Sequence, residues 1–532
     1  MKYLCPKTLL AVFPRTPDPM KILRLVFFIS FLATISCKEK ENPSTQIGTV
    51  RIEGIELEKL KLPGARTLAN FRWNHTFPNS LEVNFLEVAS GKSFPISINP
   101  NDFGQAYQIE LPLGSYEYTG QSTGATVSPT LPIRLQGKFD VTKSTESLVL
   151  KASSDHGLIT YSKSNLSGAP KVKAPSEGVF FSNPDFYYAY VKGGELVKTE
   201  LALSNGKAFR IGLATQGFSH RQFQIRTNES GTPVTFTPID FEVSTDLLSL
   251  GPNGYPSGLL PYSILDLPAS QNETSGLQWI QGRLFSISDG GNPAEIYEIN
   301  PQTGILLRTI KVSNAPNVDW EDLAASPTHL YVGDFGNNSG NRKDLKVLKI
   351  PIAAVLNQTD VSAEIISFSY PDQSDFSGSN PNHNFDCEAL VFSGNRLHLF
   401  SKNRGDQQTK HYSLSPDAGN QVAVLSGRFD SKGLITGADA SGDGQNIVLL
   451  GYEDRGISSR SFIWTFAKVS GPVFSSTGNQ FFLGSPVGLG QTEGVTIDQM
   501  MEIKISGERI SQSGLTIPPK LFGVDLGGIF TP

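Results

Sequence analysis

Short segments in which apolar and polar residues alternate fill residues 47 to about 250, with Pro, Gly and Asn between them. "SFPISI" at 93–98 and "AFRIGLA" at 208–214 are examples. Alternation with a period of two predicts β-strands that bury one face, and no segment of this half keeps the spacing of a helix. We therefore predict one or two β-sandwich modules of the immunoglobulin-like kind over 47–250, ending at a Pro/Gly linker over 251–260.

The second half of the chain repeats one pattern five times: a small or acidic residue, an apolar residue two positions later, a turn, and an apolar strand with a polar end. The repeats span 274–291, 319–338, 386–404, 435–454 and 491–509. A period of about 45 to 60 residues with four strands per repeat is typical of β-propeller blades. We predict an all-β chain with a five-bladed propeller over 261–532, and six blades as the alternative. Residues 261–268 would supply the outer strand that the last blade lacks.

Two sets of polar side chains should meet at one mouth of the propeller channel, because each innermost strand begins there and the next strand returns there. The first set shares a side-chain oxygen: Ser275, Glu321, Glu388, Thr436 and Glu493. The second set ends the returning strands: Asp289, Asp334, Lys402, Glu453 and Glu508. Carboxylates brought together need protons or a counter-charge, and a ring of oxygen donors is typical of a Ca²⁺ site. The alternative is that these oxygens only tie neighbouring blades together.

Composition and charge narrow the function classes. The chain has 532 residues and a formal net charge of -5 without a basic stripe, which argues against a nucleic-acid partner. His and Cys do not converge in the repeats, which argues against zinc or copper. Cys387 is the one cysteine beyond the N-terminal segment, so no intramolecular disulfide is expected there. As a separate expectation, the protein is a monomer.

The N-terminal segment carries a targeting signal. From Met20 the chain runs "MKILRLVFFISFLATISC", a basic start followed by an apolar stretch, as in a secretory signal peptide. "TISC" resembles the lipobox of bacterial lipoproteins, which implies lipidation of Cys37; a signal peptide with a chance cysteine is the alternative. We assign residues 1–36 to a signal peptide with an N-terminal extension, starting at Met1 or Met20, and 37–46 to a polar tether. The expected location is the bacterial cell envelope, anchored to the outer membrane by the lipid at Cys37.

The repeats also resemble a known family. "SGL" followed by "FSISD", "DWEDLA" followed by "LYVGDFGNN", "EAL" followed by "LFSKNR", and "TEGV" are similar to phrases of the calcium-activated nucleotidases (apyrases), five-bladed propellers with one axial Ca²⁺. The resemblance implies that the first set above holds that ion, and it covers residues 261–532. This chain has Ser288-Asp289-Gly290 where those enzymes have Asp-Asp-Arg. The same half also resembles the SdiA-regulated and the esterase-like, phytase-like propeller proteins.

Two functions follow as expectations. As an enzyme, the protein would be a calcium-dependent hydrolase of phosphate or carboxylic esters, in which Asp289, Asp334 and Glu508 position water while Lys402 and Arg404 hold an anionic substrate. As a binding protein, it would recognise a glycan, a peptide or a protein at the rim of the propeller and use Ca²⁺ structurally.

Overall fold

The computed structural model describes residues 46–58, 72–104, 107–227, 236, 240–380, 382–512 and 514–530. The predicted signal peptide, Cys37 and most of the tether lie outside the described residues. Within them the chain forms 41 strands and two short α-helices, so the all-β prediction is confirmed. None of the described helices is both long enough and apolar enough to span a membrane.

The first eight strands lie within residues 47–153, and seven of them form one sheet. They are β1 Ile47–Leu57, β2 Leu81–Glu87, β3 Ser93–Ile98, β4 Tyr107–Pro112, β5 Gly114–Gln121, β6 Val127–Ser128, β7 Arg134–Val141 and β8 Thr145–Ser153. The strand order is β3-β2-β5-β7-β8-β1-β4, and β1 runs parallel to β8. Leu81, Val83 and Phe85 of β2 are buried at alternate positions, as the period of two predicted.

Nine further strands form two more sheets. They are β9 His156–Ser162, β10 Lys171–Ala174, β11 Gly178–Val179, β12 Phe181–Ser182, β13 Phe186–Lys192, β14 Leu196–Ala202, β15 Ala208–Ala214, β16 Ser219–Thr227 and β17 Glu242–Leu250. One sheet has the order β11-β10-β14-β15, and the other has β12-β13-β9-β16-β17, with β6 added to β13. The immunoglobulin-like assignment of this region stays a prediction.

The rest of the chain is a β-propeller, as predicted. Its strands are β18 Tyr262–Asp266, β19 Thr274–Ile280, β20 Arg283–Ser288, β21 Glu295–Ile299, β22 Leu306–Val312, β23 Trp320–Ala325, β24 His329–Asp334, β25 Lys346–Pro351, β26 Asp360–Val361, β27 Glu364–Ser369, β28 Cys387–Ser393, β29 Arg396–Ser401, β30 Thr409–Leu414, β31 Gly419–Val422, β32 Val424–Phe429, β33 Leu434–Ala440, β34 Ile447–Tyr452, β35 Ser461–Phe466, β36 Gly478–Gly484, β37 Gln491–Ile497, β38 Glu502–Glu508, β39 Ile510–Gln512, β40 Leu515–Ile517 and β41 Lys520–Asp525. The helices are α1 Ile352–Asn357 and α2 Pro486–Leu489.

Five sheets of the propeller follow one another along the chain, and we name them blades I to V. From the inside outwards they are β19-β20-β21-β22-β26, β23-β24-β25-β27-β31, β28-β29-β30-β32, β33-β34-β35-β36 and β37-β38-β41-β18. Blade V thus takes its outer strand from β18, which precedes blade I in the sequence, as predicted for residues 261–268. The innermost strands β19, β23, β28, β33 and β37 contact one another in a closed ring.

Apolar clusters fill the spaces between neighbouring blades. Each innermost strand contributes one fully buried residue to these clusters or to the one that blades IV and V share: Leu277, Leu323, Leu390, Ala438 and Val495. The innermost strands begin at one mouth of the channel and end at the other.

The two sheets that contain β9–β17 pack directly on blades IV and V. One apolar cluster includes Phe209 and Phe223 from these sheets together with Phe481 and Phe522 from the blades. The predicted linker is bonded to the edge of blade IV, where the N–H of Leu259 donates to the carbonyl of Phe482 at 2.9 Å. These two sheets therefore share one apolar cluster with blades IV and V, whereas the seven-stranded sheet buries its apolar residues in a separate cluster.

Candidate functional site

A β-bulge lies at the start of every innermost strand. The cross-strand register shifts between Thr274 and Leu277, Trp320 and Asp322, Cys387 and Ala389, Ile435 and Gly437, and Thr492 and Val495. Each shift contains one member of the first predicted set: Ser275, Glu321, Glu388, Thr436 or Glu493. A bulge leaves its extra residue outside the regular ladder and re-aims its side chain. A β-bulge thus occurs at all five predicted positions. The residues at these positions are at most 5% exposed.

The two hydroxyl members of the set join neighbouring blades. Ser275 Oγ donates to the carbonyl oxygen of Glu321, and Thr436 Oγ1 donates to the carbonyl oxygen of Thr492 at 2.8 Å. These bonds are the blade-tying role that the sequence left open. A hydroxyl that donates in this way still has lone pairs for a second partner.

Glu388 forms a buried ion pair with Lys402. Lys402 Nζ lies 3.1 Å from Glu388 Oε2, and the two side chains are only 6% and 5% exposed. Burial raises the pKa of Glu388 well above its usual range although the Lys402 charge opposes the shift. Burial alone would lower the pKa of Lys402, but the surrounding carboxylates, led by Glu388 and Glu493, raise it overall. Lys402 is therefore a permanent cation within this mouth.

Three carboxylates of blades I and II converge beside this pair. Asp289, Asp319 and Glu321 can each offer an oxygen atom so that the three atoms lie within 4.8 Å of one another. Burial, followed by the Asp289 and Asp386 charges, raises the pKa of Asp319 to about 6. Burial and the Glu388 charge raise the pKa of Glu321 well above its usual range. Carboxylates this close are a poor arrangement without protons or a cation between them.

Two glycines make room for these carboxylates. A Cβ on Gly336 would lie 2.0 Å from Glu321 Oε1 and 2.6 Å from Asp319 Oδ2. A Cβ on Gly290 would lie 2.2 Å from Asp319 Oδ1. All three distances are far below van der Waals contact, so the loops after β20 and β24 can approach the acids only because glycine stands at these positions.

Blade V adds two more acids. The side-chain amide of Gln491 donates to Glu493 Oε1 at 2.6 Å and to Glu508 Oε2 at 3.2 Å. Burial raises the pKa of both carboxyls, and the Glu493 charge adds to the shift at Glu508. Gln491 therefore holds the two acids side by side at the same mouth.

Asp386 and Arg404 form the second ion pair of the mouth. Arg404 Nη2 lies 3.4 Å from Asp386 Oδ2 and 2.6 Å from Asn338 Oδ1. The N–H of Asn337 donates to Asp386 Oδ1 at 2.7 Å. Asp386 is fully buried, whereas the Arg404 side chain is 32% exposed. Arg404 thus presents part of its guanidinium to solvent beside the acids.

Besides Lys402, two members of the second predicted set are engaged in ion pairs. Asp334 lies 2.9 Å from Arg342 Nη2 and 3.0 Å from Lys346 Nζ. Glu453 accepts two hydrogen bonds from Arg460, at 2.9 and 2.8 Å. Their negative charges are compensated locally.

Sequence reasoning missed Asp319, Asp322 and Asp439. Asp319 precedes Glu321 by two residues, the spacing that places Asp386 before Glu388, so this signal was present in "DWED". Asp322 follows a bulge, and its carboxylate accepts N–H bonds from Leu390 at 2.8 Å and Ala438 at 3.2 Å. Such bonds across the ring depend on strand register, which the sequence pattern does not give.

The mouth carries far more acid than base. We define the acidic cluster as seven carboxylates, namely Asp289, Asp319, Glu321, Asp386, Glu388, Glu493 and Glu508. Among the described residues, its members form ion pairs with two basic side chains, Lys402 and Arg404. Seven acids against two bases leave an excess of negative charge that protons or a bound cation must balance.

Comparisons with known proteins do not assign a family. No family model matches the chain, and no curated protein matches it. Among solved structures, hydrazine synthase of Kuenenia stuttgartiensis is 11% identical with a TM-score of 0.27, over 44% of this chain and 77% of that one. The Swd1 β-propeller domain of Myceliophteria thermophila is 9% identical with a TM-score of 0.23, over 61% and 83%. Similarity this low carries no inference about function.

Proposed function

We propose that this protein is an exported, lipid-anchored propeller protein that binds Ca²⁺ at the acidic cluster. The observation that carries the proposal is that seven buried or half-buried carboxylates share one mouth with two basic side chains that pair with them. Hard oxygen donors suit Ca²⁺, which takes six to eight of them at roughly 2.3 to 2.6 Å. The repeated bulge places an oxygen-bearing residue at the same position in all five blades, which supports a site to which every blade contributes.

Asp289, Asp319 and Glu321 are the residues best arranged to hold the ion, because their oxygen atoms already converge. Glu493 and the free lone pairs of Ser275 and Thr436 would complete the donor set predicted from the sequence. Glu388 is paired with Lys402, so it would contribute mainly negative charge. This ligand set overlaps the one that the apyrase resemblance implies and adds Asp289 and Asp319 to it.

The reaction that we propose for this mouth is hydrolysis of a phosphate or carboxylic ester. A bound divalent cation supplies Lewis acidity toward the ester oxygen. Arg404, which is partly exposed, would hold an anionic group of the substrate together with Lys402. Asp289 and Glu508 would accept hydrogen bonds from the attacking water and orient it. Asp334 would position the neighbouring loop through Arg342 rather than touch water.

A second candidate is recognition without catalysis, with a structural cation. Lys402 and Arg404 are each already paired with a carboxylate of the cluster, which favours this alternative. A cavity of about 280 Å³ opens beside the rim loops of blades II and III, lined in part by Asn382, His383 and Arg428. A glycan, peptide or protein ligand would bind there.

Calcium titration tests the first step. We expect Ca²⁺ to raise the melting temperature of the protein and a chelator to lower it, since a ligand that binds the folded state stabilises it by mass action. Glu321→Gln should abolish the shift. Glu453→Gln is the matched control, because Glu453 ends a returning strand but is paired with Arg460. A melting temperature insensitive to both additions would exclude the proposed site.

A substrate panel separates the two candidates. Nucleoside diphosphates, p-nitrophenyl phosphate and p-nitrophenyl acetate would be assayed with and without Ca²⁺. Turnover that requires Ca²⁺ and disappears in Arg404→Met supports hydrolysis. Calcium binding without turnover of any of these compounds favours recognition.

Lipid anchoring is tested separately. Cys37 follows an apolar stretch with a lipobox-like ending. In a bacterial host, metabolic labelling with a fatty acid should modify the protein, and Cys37→Ser should abolish the label and release the protein from the membrane fraction.

A further inference from the structure

A second cavity lies at the opposite mouth of the propeller channel. Its volume is about 900 Å³, within the size range of small-molecule sites. All five blades contribute the end of an innermost strand or the turn that follows it. These lining segments include Gln281–Gly282, Ser326–Pro327, Ser393–Gly394, Ser441–Gly444 and Asp498–Met500.

This cavity is separate from the acidic cluster. None of the seven carboxylates of the cluster lines the cavity, because the cluster lies where the innermost strands begin and the cavity lies where they end. Asp322, which is fully buried, spans the ring by accepting N–H bonds from blades III and IV. A ligand would therefore bind in this cavity without contacting a Ca²⁺ ion at the other mouth.

The charged residues that line the cavity are all acidic. Asp439, Asp443 and Asp498 line the cavity, and no Lys, Arg or His is among the lining residues. Asp439 is 6% exposed and is held in place by the N–H of Ile497 and the hydroxyl of Thr496, at 2.9 and 2.8 Å from its Oδ2. A cavity of this kind favours a cation over an anion.

A buried amide in the lining has an unused acceptor. Gln278 is 6% exposed, and its Oε1 atom has no hydrogen-bond partner among the described residues. Its Nε2 atom donates to the carbonyl of Trp279 at 3.3 Å. A buried acceptor without a partner is costly, and a ligand that brings an N–H group would satisfy it.

One part of the lining of the cavity is apolar. Trp279 and Phe392 line it, and the Phe392 ring stacks on Tyr331 with centroids 5.7 Å apart. Met500 is 63% exposed and lies in the same lining. Aromatic faces and a methionine suit the apolar body of a ligand and also attract an ammonium group.

We propose that this cavity binds a small organic amine whose protonated ammonium group donates to Gln278 Oε1 near Asp439, with its apolar body against Trp279 and Phe392. The Gln278 acceptor requires a hydrogen-bond donor, which a primary or secondary ammonium carries and a quaternary one lacks, and the acidic lining favours the charged donor. The proposal does not depend on the function of the acidic cluster.

Calorimetric titration of the full chain tests the proposal. The probes are 2-phenylethylammonium, tryptammonium and hexylammonium, each paired with the corresponding neutral alcohol. We expect at least one ammonium compound to bind with a Kd below about 1 mM and its alcohol to bind at least about tenfold more weakly. Absence of ammonium binding, or equal binding of the alcohol, would overturn the proposal.

Variants assign the binding to this cavity. Gln278→Leu should weaken ammonium binding by about tenfold or more, because the charged donor loses its acceptor. Met500→Lys places a cation at an exposed position that tolerates substitution, so it should weaken binding similarly, whereas Met500→Gln should not. Glu453→Gln, at the other mouth and outside the acidic cluster, should leave the affinity unchanged. Unaltered binding in both Gln278→Leu and Met500→Lys would refute the assignment.

Discussion

The carboxylate of Asp322 in blade II accepts a hydrogen bond from the N–H of Ala438 in blade IV at 3.2 Å. The same oxygen accepts the N–H of Leu390 in blade III, and Asp322 Oδ1 accepts the N–H of Leu323. Blades II and IV are not neighbours in the chain order, so this fully buried side chain links strands across the ring. It satisfies backbone donors that no strand ladder could satisfy there.

We predict that Asp322→Ala lowers the free energy of unfolding by about 3 to 5 kcal/mol, because it leaves buried N–H groups without acceptors. Asp322→Asn keeps one acceptor and should cost less. Urea unfolding measures both. Asp360→Ala, on an exposed position of β26, is the control and should change stability by no more than about 0.5 kcal/mol. Equal stability of Asp322→Ala and the control would contradict the role of Asp322.

Lys402 is the buried cation of the acidic cluster, and its removal should expose the excess of negative charge. In the presence of a chelator we expect Lys402→Met to lower the free energy of unfolding by about 3 to 5 kcal/mol, since Glu388 keeps no partner of opposite charge. Millimolar Ca²⁺ should restore part of the loss if the cluster binds the ion. Thermal melts with chelator and with Ca²⁺ measure both effects.

Lys432→Met is the control for that experiment, because Lys432 is 62% exposed and pairs only with the exposed Asp430. Exposed pairs contribute about 0 to 1 kcal/mol. If Lys402→Met melted like Lys432→Met under both conditions, the buried pair would have no measurable role in the stability of this mouth.

Gly336 tests the packing of the acids directly. In Gly336→Ala the new Cβ would lie 2.0 Å from Glu321 Oε1, so Glu321 and Asp319 must move apart. We expect the calcium affinity to fall by about tenfold or more in calorimetric titration, because displaced ligands no longer converge. Gly442→Ala is the matched control, since a Cβ there meets no atom within 4 Å. Unchanged affinity in both variants would show that Ca²⁺ is not held by Glu321 and Asp319.

The strands could be predicted because alternation is a local property. "SFPISI" and "AFRIGLA" coincide with β3 and β15 residue for residue, and the segment 261–268 contains the closing strand β18. The five repeats also gave the five bulged positions, since these positions share an oxygen-bearing side chain. Periodicity therefore identified which residues face the channel.

The contacts of those residues could not be predicted, because they depend on register and on neighbouring blades. The bulge leaves Glu321 outside the ladder while Asp322 pairs with Gly333, so two consecutive carboxylates are both buried, which a period of two does not predict. Composition marked 251–260 as a linker, but whether a Pro/Gly segment is bonded depends on a partner far away in the chain. Here Phe482 donates to the carbonyl of Ser257 at 3.0 Å.

A buried polar contact joins the N-terminal sheets to blade V. The hydroxyl of Tyr262 donates to Glu502 Oε2 at 2.6 Å, and Lys198 pairs with the other oxygen of Glu502. We predict that Tyr262→Phe lowers the free energy of unfolding by about 1.5 to 3 kcal/mol, as expected for a bond to a buried charge. Tyr187→Phe, at a half-buried position of β13, should cost less than about 0.5 kcal/mol.

The apolar cluster that β9–β17 share with blades IV and V also predicts one cooperative transition. Trp73 reports on the N-terminal sheets and Trp320 on blade II, so single-tryptophan variants would follow the two parts separately. We expect both to give the same urea midpoint, and Tyr262→Phe to shift both midpoints together. Separate midpoints would show that the N-terminal sheets and the propeller unfold independently.

His220 gives the N-terminal region a dependence on pH. It is buried among aromatic rings, and its Nε2 lies 2.8 Å from Thr160 Oγ1. Burial, and to a lesser extent His75, lowers the pKa of His220 to about 3. An unfolded chain binds a proton at this residue below a pH of about 6.5, whereas the native state stays neutral. The contribution to stability is thus fully present above that pH and is lost as the pH falls toward 3.

We therefore expect His220 to cost about 2 kcal/mol of unfolding free energy when the pH is lowered from 7.5 to 5. In His220→Gln the group no longer titrates, so the loss between these two pH values should be smaller than in the wild-type protein by that amount. Urea unfolding at both values measures the difference. Thr160→Val removes the same hydrogen bond but keeps the imidazole, so its loss on acidification should equal that of the wild-type protein. An equal loss in His220→Gln would mean that another group sets the acid sensitivity.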